Sequence, residues 1–268
     1  MTDIHTTIRS MPAVYLPHGG GPAFFMAGGM GDLFRPMGEF LASFQTLLPA
    51  RPTAILVVTA HWEARVPTFS GGSKPALIYD YYGFPKETYA ISYPAVGSPP
   101  LADKAADLLT RAGIEALVDP QYGWDHGVFI PLKVMFPQAD IPVLAMSLQL
   151  GLDPDKHAAM GAALRPLRDE GVLIMGSGMS YHNLRQMGNG QAAAEFDRWL
   201  DEALVGDAGQ RRSRLARWAE APSGRLSHPR EEHLLPLMVA SGAGGDAPAR
   251  KLWSGAVGPT AVSAWAFD

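Results

Sequence analysis

The chain predicts a single α/β domain with a central, mostly parallel (mixed) sheet covered by helices on both faces. Three observations predict it. Short apolar, β-branched runs alternate with longer amphipathic ones along the 268 residues, the order expected when crossover helices join parallel strands. The strand-like runs are nearly continuous in apolar residues, as strands buried on both faces must be. No repeat, long linker or break in composition divides the chain, so residues 1–268 read as one domain.

The elements follow in order. Strand-like runs cover 13–16, 54–60, 76–80, 115–119, 142–149, 172–177, 251–256 and 260–267. Helix-like runs cover 35–48, 99–112, 153–170, 191–205 and 211–219. In the third of these, Ala159, Met160, Ala163, Leu164 and Leu167 recur at three- and four-residue spacing. Ser98 before Pro99 is a good N-cap and first-turn pair. Gly113 and Gly171 sit where glycine ends a helix. The last two strand candidates are close enough for an antiparallel edge pair. The glycine-rich stretch 241–245 reads as a surface loop.

Composition narrows the function. Hydrophobic residues make up 47% of the chain and charged residues 18%, enough for a sizeable core. The formal net charge is -4 with no run of Lys or Arg, which sets nucleic acid and anionic membrane aside as partners. The densest basic stretch, Arg211, Arg212, Arg214 and Arg217, reads as a solvated helix face. There is no cysteine, so any metal must be held by imidazole, carboxylate or water. The run 54–58 is too short to span a bilayer. The N-terminus carries Asp3 and no apolar stretch of the signal-peptide kind, so a cytoplasmic enzyme is expected.

Histidines carry the chemical signal. His18, His61, His126 and His182 stand in loops just after apolar runs, and His233 opens an apolar segment. Strand ends are where an open α/β sheet forms its ligand crevice, and imidazole is both the commonest metal ligand and the commonest acid/base near neutral pH. Taken singly, each is equally readable as a packed loop residue. The glycines after His18 would let a backbone approach a ligand closely, yet they lack the P-loop and dinucleotide fingerprints. Gly176-Ser177-Gly178 does not match the G-x-S-x-G elbow of serine hydrolases. Asp125 reads as a cap or a solvent-facing residue. His228 and His233 stand five apart, about 140° around a helix, so only one is expected at a metal; His228, before Pro229, reads as a cap or rim residue. Glu232 is a rival ligand. His157, within a helix-like run, and His5 read as structural.

Five motifs in this order resemble one family: Leu16-Pro17-His18-Gly19-Gly20-Gly21-Pro22, Thr59-Ala60-His61-Trp62, Gly123-Trp124-Asp125-His126-Gly127, Gly176-Ser177-Gly178-Met179-Ser180-Tyr181-His182-Asn183-Leu184 and Glu232-His233-Leu234-Leu235-Pro236-Leu237. Together they are similar to the DOPA 4,5-dioxygenase-type branch of the class III extradiol ring-cleaving dioxygenases. The resemblance runs from Pro12 to Asp268. It implies oxygen-dependent opening of a catechol ring beside its two hydroxyls, with a small catecholic substrate, dioxygen and a non-haem Fe(II); Zn(II) is the alternative ion. By the same resemblance His18, His61 and His233 match the metal ligands. His182 matches the acid/base, with the metal also within its reach, and His126 matches a further pocket histidine. The protocatechuate branch has a glutamate as third ligand, so Glu232 and His228 stand as alternatives to His233. Trp62, Tyr122, Trp124 and Tyr181 flank these positions and are candidates to stack on an aromatic ring. Arg185 and Arg230 are candidates to read a substrate carboxylate. A zinc-dependent hydrolase on the same residues and a non-catalytic metal-binding relative are the rival readings. The sequence assigns no oligomeric state.

Overall fold

The runs read as buried strands form the centre of the sheet. In the computed structural model, which describes residues 10–268, eight strands are joined in one sheet. They are β1 (Ala13–Pro17), β2 (Ala54–Ala64), β3 (Thr68–Ser70), β4 (Leu117–Asp119), β5 (Val143–Gln149), β6 (Val172–Gly178), β7 (Ala249–Val257) and β8 (Thr260–Phe267). Their order across the sheet is β4-β3-β5-β2-β6-β1-β8-β7. The central four, β5-β2-β6-β1, are parallel. An antiparallel β8-β7 pair closes one edge, and β3 meets β5 antiparallel at the other. Asp3 and His5 lie outside the described residues.

Eight helices follow from the amphipathic and apolar runs: α1 (Gly29–Ser43), α2 (Pro99–Arg111), α3 (His126–Met135), α4 (Pro154–Leu164), α5 (Gly190–Ala203), α6 (Ala208–Leu215), α7 (Gly224–Ser227) and α8 (Leu235–Gly244). The strands feed two cores by simple alternation. Ile55 and Val57 of β2 join a cluster with α1 and α3, whereas Leu56 and Val58 join one with α2, α4, α5 and α8. Each face of the sheet is thereby covered. Among the described residues no helix is long and apolar enough to cross a membrane.

Several expectations are corrected. Residues 76–80 are not a strand: Leu77 makes only an isolated bridge to Trp124, and β3 and β4 form that side of the sheet instead. No helix was expected over α3, because seven of its ten residues are buried and Pro131 lies inside it, so no one-sided apolar period shows. The stretch 241–245 is the buried end of α8 rather than a surface loop. Its glycine serves contact: a Cβ on Gly242 would stand 2.0 Å from the Ala158 carbonyl oxygen of α4. Arg211 is fully buried, not solvated. Its guanidinium donates to the carbonyl oxygens of Gly206 and Gly245, at the C-terminal end of α8, where helix carbonyls favour positive charge.

Candidate metal centre

Strand ends and helix starts bring five histidines together at the carboxyl edge of the parallel strands. His18 follows β1. His61 lies within β2, where the pairing with β5 shifts register between Val58 and Glu63; such an irregularity re-aims side chains. His126 is the first residue of α3, and His233 stands two residues before α8. His182 follows β6, its N–H donating to the Ser227 carbonyl at 2.9 Å. The ring centroids of His18, His61 and His233 are 4.6 to 5.1 Å apart. Each of the three offers a ring nitrogen within 4.8 Å of the others, so this group is suited to hold a metal ion.

Hydrogen bonds fix which nitrogen each ring presents. The Ser177 hydroxyl donates to the Gly127 carbonyl, so at its 3.1 Å contact with His18 Nδ1 it accepts. His18 therefore carries its proton on Nδ1 and turns the Nε2 lone pair to the site. Asp125 Oδ1 accepts from Thr59, from the Gly127 N–H and from His61 Nδ1 at 2.7, 2.9 and 3.2 Å. Glu232 Oε1 accepts from His233 Nδ1 at 3.0 Å. The consequence is that His61 Nε2 and His233 Nε2 face each other at 3.1 Å. Two lone pairs at that separation require a cation between them, either a proton or a metal. Carboxylates behind ligating imidazoles are a general device of metal sites.

Electrostatics agree with that arrangement. Burial pushes His18 and His233 well below the usual imidazole range, and the surrounding histidines push them further, so both are neutral ligands at neutral pH. Burial would also lower His61, but the hydrogen bond to Asp125 and the charges of Asp125, Asp80 and Glu232 outweigh it and raise His61. Of the three, only His61 is thus biased toward positive charge, by the carboxylates around it. Three imidazole nitrogens with carboxylates behind two of them fit a divalent transition ion such as Fe(II) or Zn(II).

His126 and His182 flank this group on opposite sides. His126 stacks on His61 at 4.0 Å, and its Nδ1 donates to Asp80 Oδ1 at 2.8 Å. His182 stacks on His233 at 3.3 Å, and its Nδ1 lies 3.3 Å from Glu232 Oε1. With a carboxylate at each Nδ1, Nε2 is the ring nitrogen left without a protein partner in both. Burial lowers His126 more than Asp80 restores it.

The other candidates fall elsewhere. His228 is no alternative ligand and no rim residue: it is fully buried against Phe196 and Trp218, with Nε2 on the Ser180 carbonyl at 3.0 Å. Glu232 stands at Nδ1 of both His233 and His182, and with these two it forms a second group whose ligand atoms lie within 4.8 Å of one another. Asp125, read as a cap or solvent-facing, caps α3 and is also the buried partner of His61. The glycines after His18 make room for aromatic rings, not a ligand: a Cβ on Gly19 would meet Phe24 at 2.5 Å. Trp124 is a wholly buried core residue against Tyr93, and Tyr181 is buried with its hydroxyl donating to the Gln186 carbonyl. Trp62 and Tyr122 stack on each other at 3.6 Å. Arg230 makes a two-bond ion pair with Glu63. His157 holds Asp153 and Gln149 by both ring nitrogens. Sequence reasoning missed Asp80, Thr59 and Tyr15, whose hydroxyl donates to the His233 carbonyl at 2.7 Å. No local signal marks them.

The family model described as the catalytic LigB subunit of aromatic ring-opening dioxygenase matches residues 11–265. A 4,5-DOPA dioxygenase extradiol of Portulaca grandiflora is 44% identical over 209 residues, covering 75% of this chain and 76% of its own. The protein of that name in Escherichia coli (strain K12) is 35% identical over 251 residues, covering 90% and 88%. The dioxygenase tasH of Hapsidospora irregularis is 39% identical over 260 residues, covering 89% and 79%. A crystal structure of an uncharacterized protein from Escherichia coli K12 matches with a TM-score of 0.77 at 30% identity, covering 96% of this chain and 100% of that one.

Proposed function

The chain belongs to the family of the catalytic LigB subunit of aromatic ring-opening dioxygenases, and on that premise we propose that it is an iron(II)-dependent extradiol dioxygenase that opens the ring of a small catechol with dioxygen. The observation that carries the reading is the facing pair of His61 Nε2 and His233 Nε2, completed by His18. Iron(II), held by Nε2 of His18, His61 and His233, supplies the redox chemistry that lets a catecholate react with dioxygen. Zinc(II) suits the same nitrogens but has no redox chemistry.

The chain's own residues manage protons and orientation. His182, its Nδ1 turned to Glu232, takes a proton from a catechol hydroxyl at Nε2 and returns it as the ring opens. His126, oriented by Asp80, stands in the same relation on the opposite flank and is the second proton carrier. Asp125, Glu232 and Ser177 keep the three ligand rings in the tautomer that leaves Nε2 free. Tyr81, with its ring 5.8 Å from that of His126, offers an aromatic wall for a substrate ring.

The test is reconstitution with iron(II) under exclusion of air, addition of a panel of catechols, and admission of oxygen. A yellow ring-opened product is expected only after oxygen enters. Turnover that ignores oxygen, or no product from any catechol, overturns the reading.

A further inference from the structure

From Ser180 to Asn183 the chain leaving β6 lies against the segment Leu226–His228, and three hydrogen bonds join the two strips. Asn183 Nδ2 donates to the Leu226 carbonyl at 2.7 Å, and the His182 N–H donates to the Ser227 carbonyl at 2.9 Å. The third bond runs the other way: His228 Nε2 donates to the Ser180 carbonyl at 3.0 Å. A carbonyl only accepts, so His228 carries its proton on Nε2. The Ser180 hydroxyl in turn accepts from the Ser263 N–H of β8 at 2.9 Å. Of the three bonds between the strips, the one from His228 is the one that grips the backbone ahead of His182.

The segment that supplies this grip is itself anchored. The His228 N–H donates to the Gly224 carbonyl at the end of α7, and Ser227 Oγ donates to the Ala192 carbonyl of α5 at 3.4 Å. The His228 ring packs against Phe196 of α5 at 5.3 Å and Trp218 at 6.0 Å, inclined 64° and 87° to them. Its Nδ1 is buried with no hydrogen-bond partner among the described residues. A phenyl ring would fill the same aromatic slot without burying an unpaired nitrogen, which costs free energy. What imidazole adds at this position is the bond to Ser180. The same stretch of chain runs on through Glu232 to His233. It thus holds three things at once: the carboxylate beside His182 Nδ1, the ring on which His182 stacks at 3.3 Å, and the donor that fixes the strip behind His182.

We propose that His228 is a positioning residue for ring opening: by holding the Ser180 carbonyl it sets where the strip places His182, and so keeps His182 Nδ1 on Glu232 and Nε2 turned to the substrate. It acts through His182 and is not itself catalytic. This rests on the catechol reading above and on the proton role given there to His182.

The experiment assays the iron-loaded protein with a catechol and oxygen. It compares His228→Phe, which keeps the ring and removes the donor, with His228→Gln, whose amide nitrogen reaches as far as Nε2. His228→Phe is expected to lower kcat roughly 10- to 100-fold, the scale on which a displaced reacting group costs rate, while metal content and KM stay within about twofold of the wild type. His228→Gln should recover most of that loss. In a His182→Ala background His228→Phe should cost nothing further, because a residue that acts through His182 has nothing left to position. An unchanged kcat in His228→Phe, an equal loss in the His182→Ala background, or a loss of metal in step with activity overturns the proposal. A second readout needs no turnover. In the zinc-loaded protein the NMR shifts of the two His182 ring nitrogens, identified by their absence in His182→Ala, should report the Nδ1-protonated tautomer in the wild type and in His228→Gln, and a mixture of tautomers in His228→Phe. An unchanged His182 signal in His228→Phe also overturns the proposal. Failure of the catechol reading shows separately, as no ring opening by the wild type, and the nitrogen shifts then decide His228 by themselves.

Discussion

Arg230 is joined to Glu63 by two hydrogen bonds across 167 positions of sequence. Glu63 stands two residues after His61 on β2, and Arg230 stands three before His233. The pair therefore ties the strand of one candidate ligand to the segment of another. An exposed ion pair contributes little to global stability, but a two-bond one fixes geometry. Arg230→Gln is expected to lower metal affinity roughly 10-fold, as loss of an outer partner does at metal sites, with a small change in unfolding midpoint. The exchanged pair Glu63→Arg with Arg230→Glu should recover part of that loss. Metal titration by calorimetry checks it, and an affinity unchanged in Arg230→Gln would refute the clamp.

His61 and His182 separate the two jobs of the site. His61 Nε2 faces His233 Nε2 at 3.1 Å, whereas His182 stacks outside that pair with Glu232 at its back. His61→Ala is expected to lose the bound ion while keeping its fold, because the remaining imidazoles cannot close the site. His182→Ala is expected to keep the ion and lose about 10²- to 10⁴-fold in ring opening, the usual worth of a positioned acid/base. Metal content of the purified variants, with circular dichroism as the folding check, distinguishes them. A full complement of metal in His61→Ala would remove it from the ligand set.

Much of this site was legible because His18, His61 and His182 stand at or just after runs that read as buried strands, and the ends of parallel strands share one edge. His18 and His61 are the clear cases. Asp80 and Asp125 were not legible. Asp80 stands in a segment that reads as a strand but joins no strand of the sheet, pairing instead with Trp124 through one isolated bridge at Leu77. Asp125 has a buried role because β2 places Thr59 and His61 against the start of α3, a tertiary fact that adjacent residues do not encode. Helices α3 and α8 escaped for a different reason. Both are buried nearly all round, and a helix with no polar face shows no period to read.

His228 links burial to acid stability. Burial drives its pKa down to about 3, with the Ser180 carbonyl opposing the shift and His182, Glu232 and Arg225 as the neighbouring charges. Its unfolded value is near 6.5. Between those values the unfolded chain binds a proton that the native one does not, so this stabilisation is complete above about pH 6.5 and is lost as pH falls toward 3. The slope from this group is at most about 1.4 kcal/mol per pH unit. His228→Asn retains a donor for Ser180 but cannot titrate. Denaturant midpoints from neutral pH down to mild acid should fall less steeply in that variant than in the wild type. Parallel slopes in the two proteins would show that His228 is not the group responsible.

Gly242 tests the helix contact behind the site. Because α8 begins two residues after His233, the seat of α8 on α4 sets where that ligand stands. A Cβ at Gly242 would lie 2.0 Å from the Ala158 carbonyl oxygen and 3.1 Å from the Ala162 nitrogen, both backbone atoms that no rotamer change can move. In an exposed helix, Gly to Ala gains about 0.5–1 kcal/mol from backbone entropy. Here the sign reverses, since the two helices must part, and overpacking of this kind costs about 1–3 kcal/mol. Gly242→Ala should therefore lower the unfolding midpoint and weaken metal binding together, through the displaced start of α8. Thermal melts with and without the ion measure both. A variant that melts at or above the wild-type temperature would mean that α4 and α8 do not meet backbone to backbone.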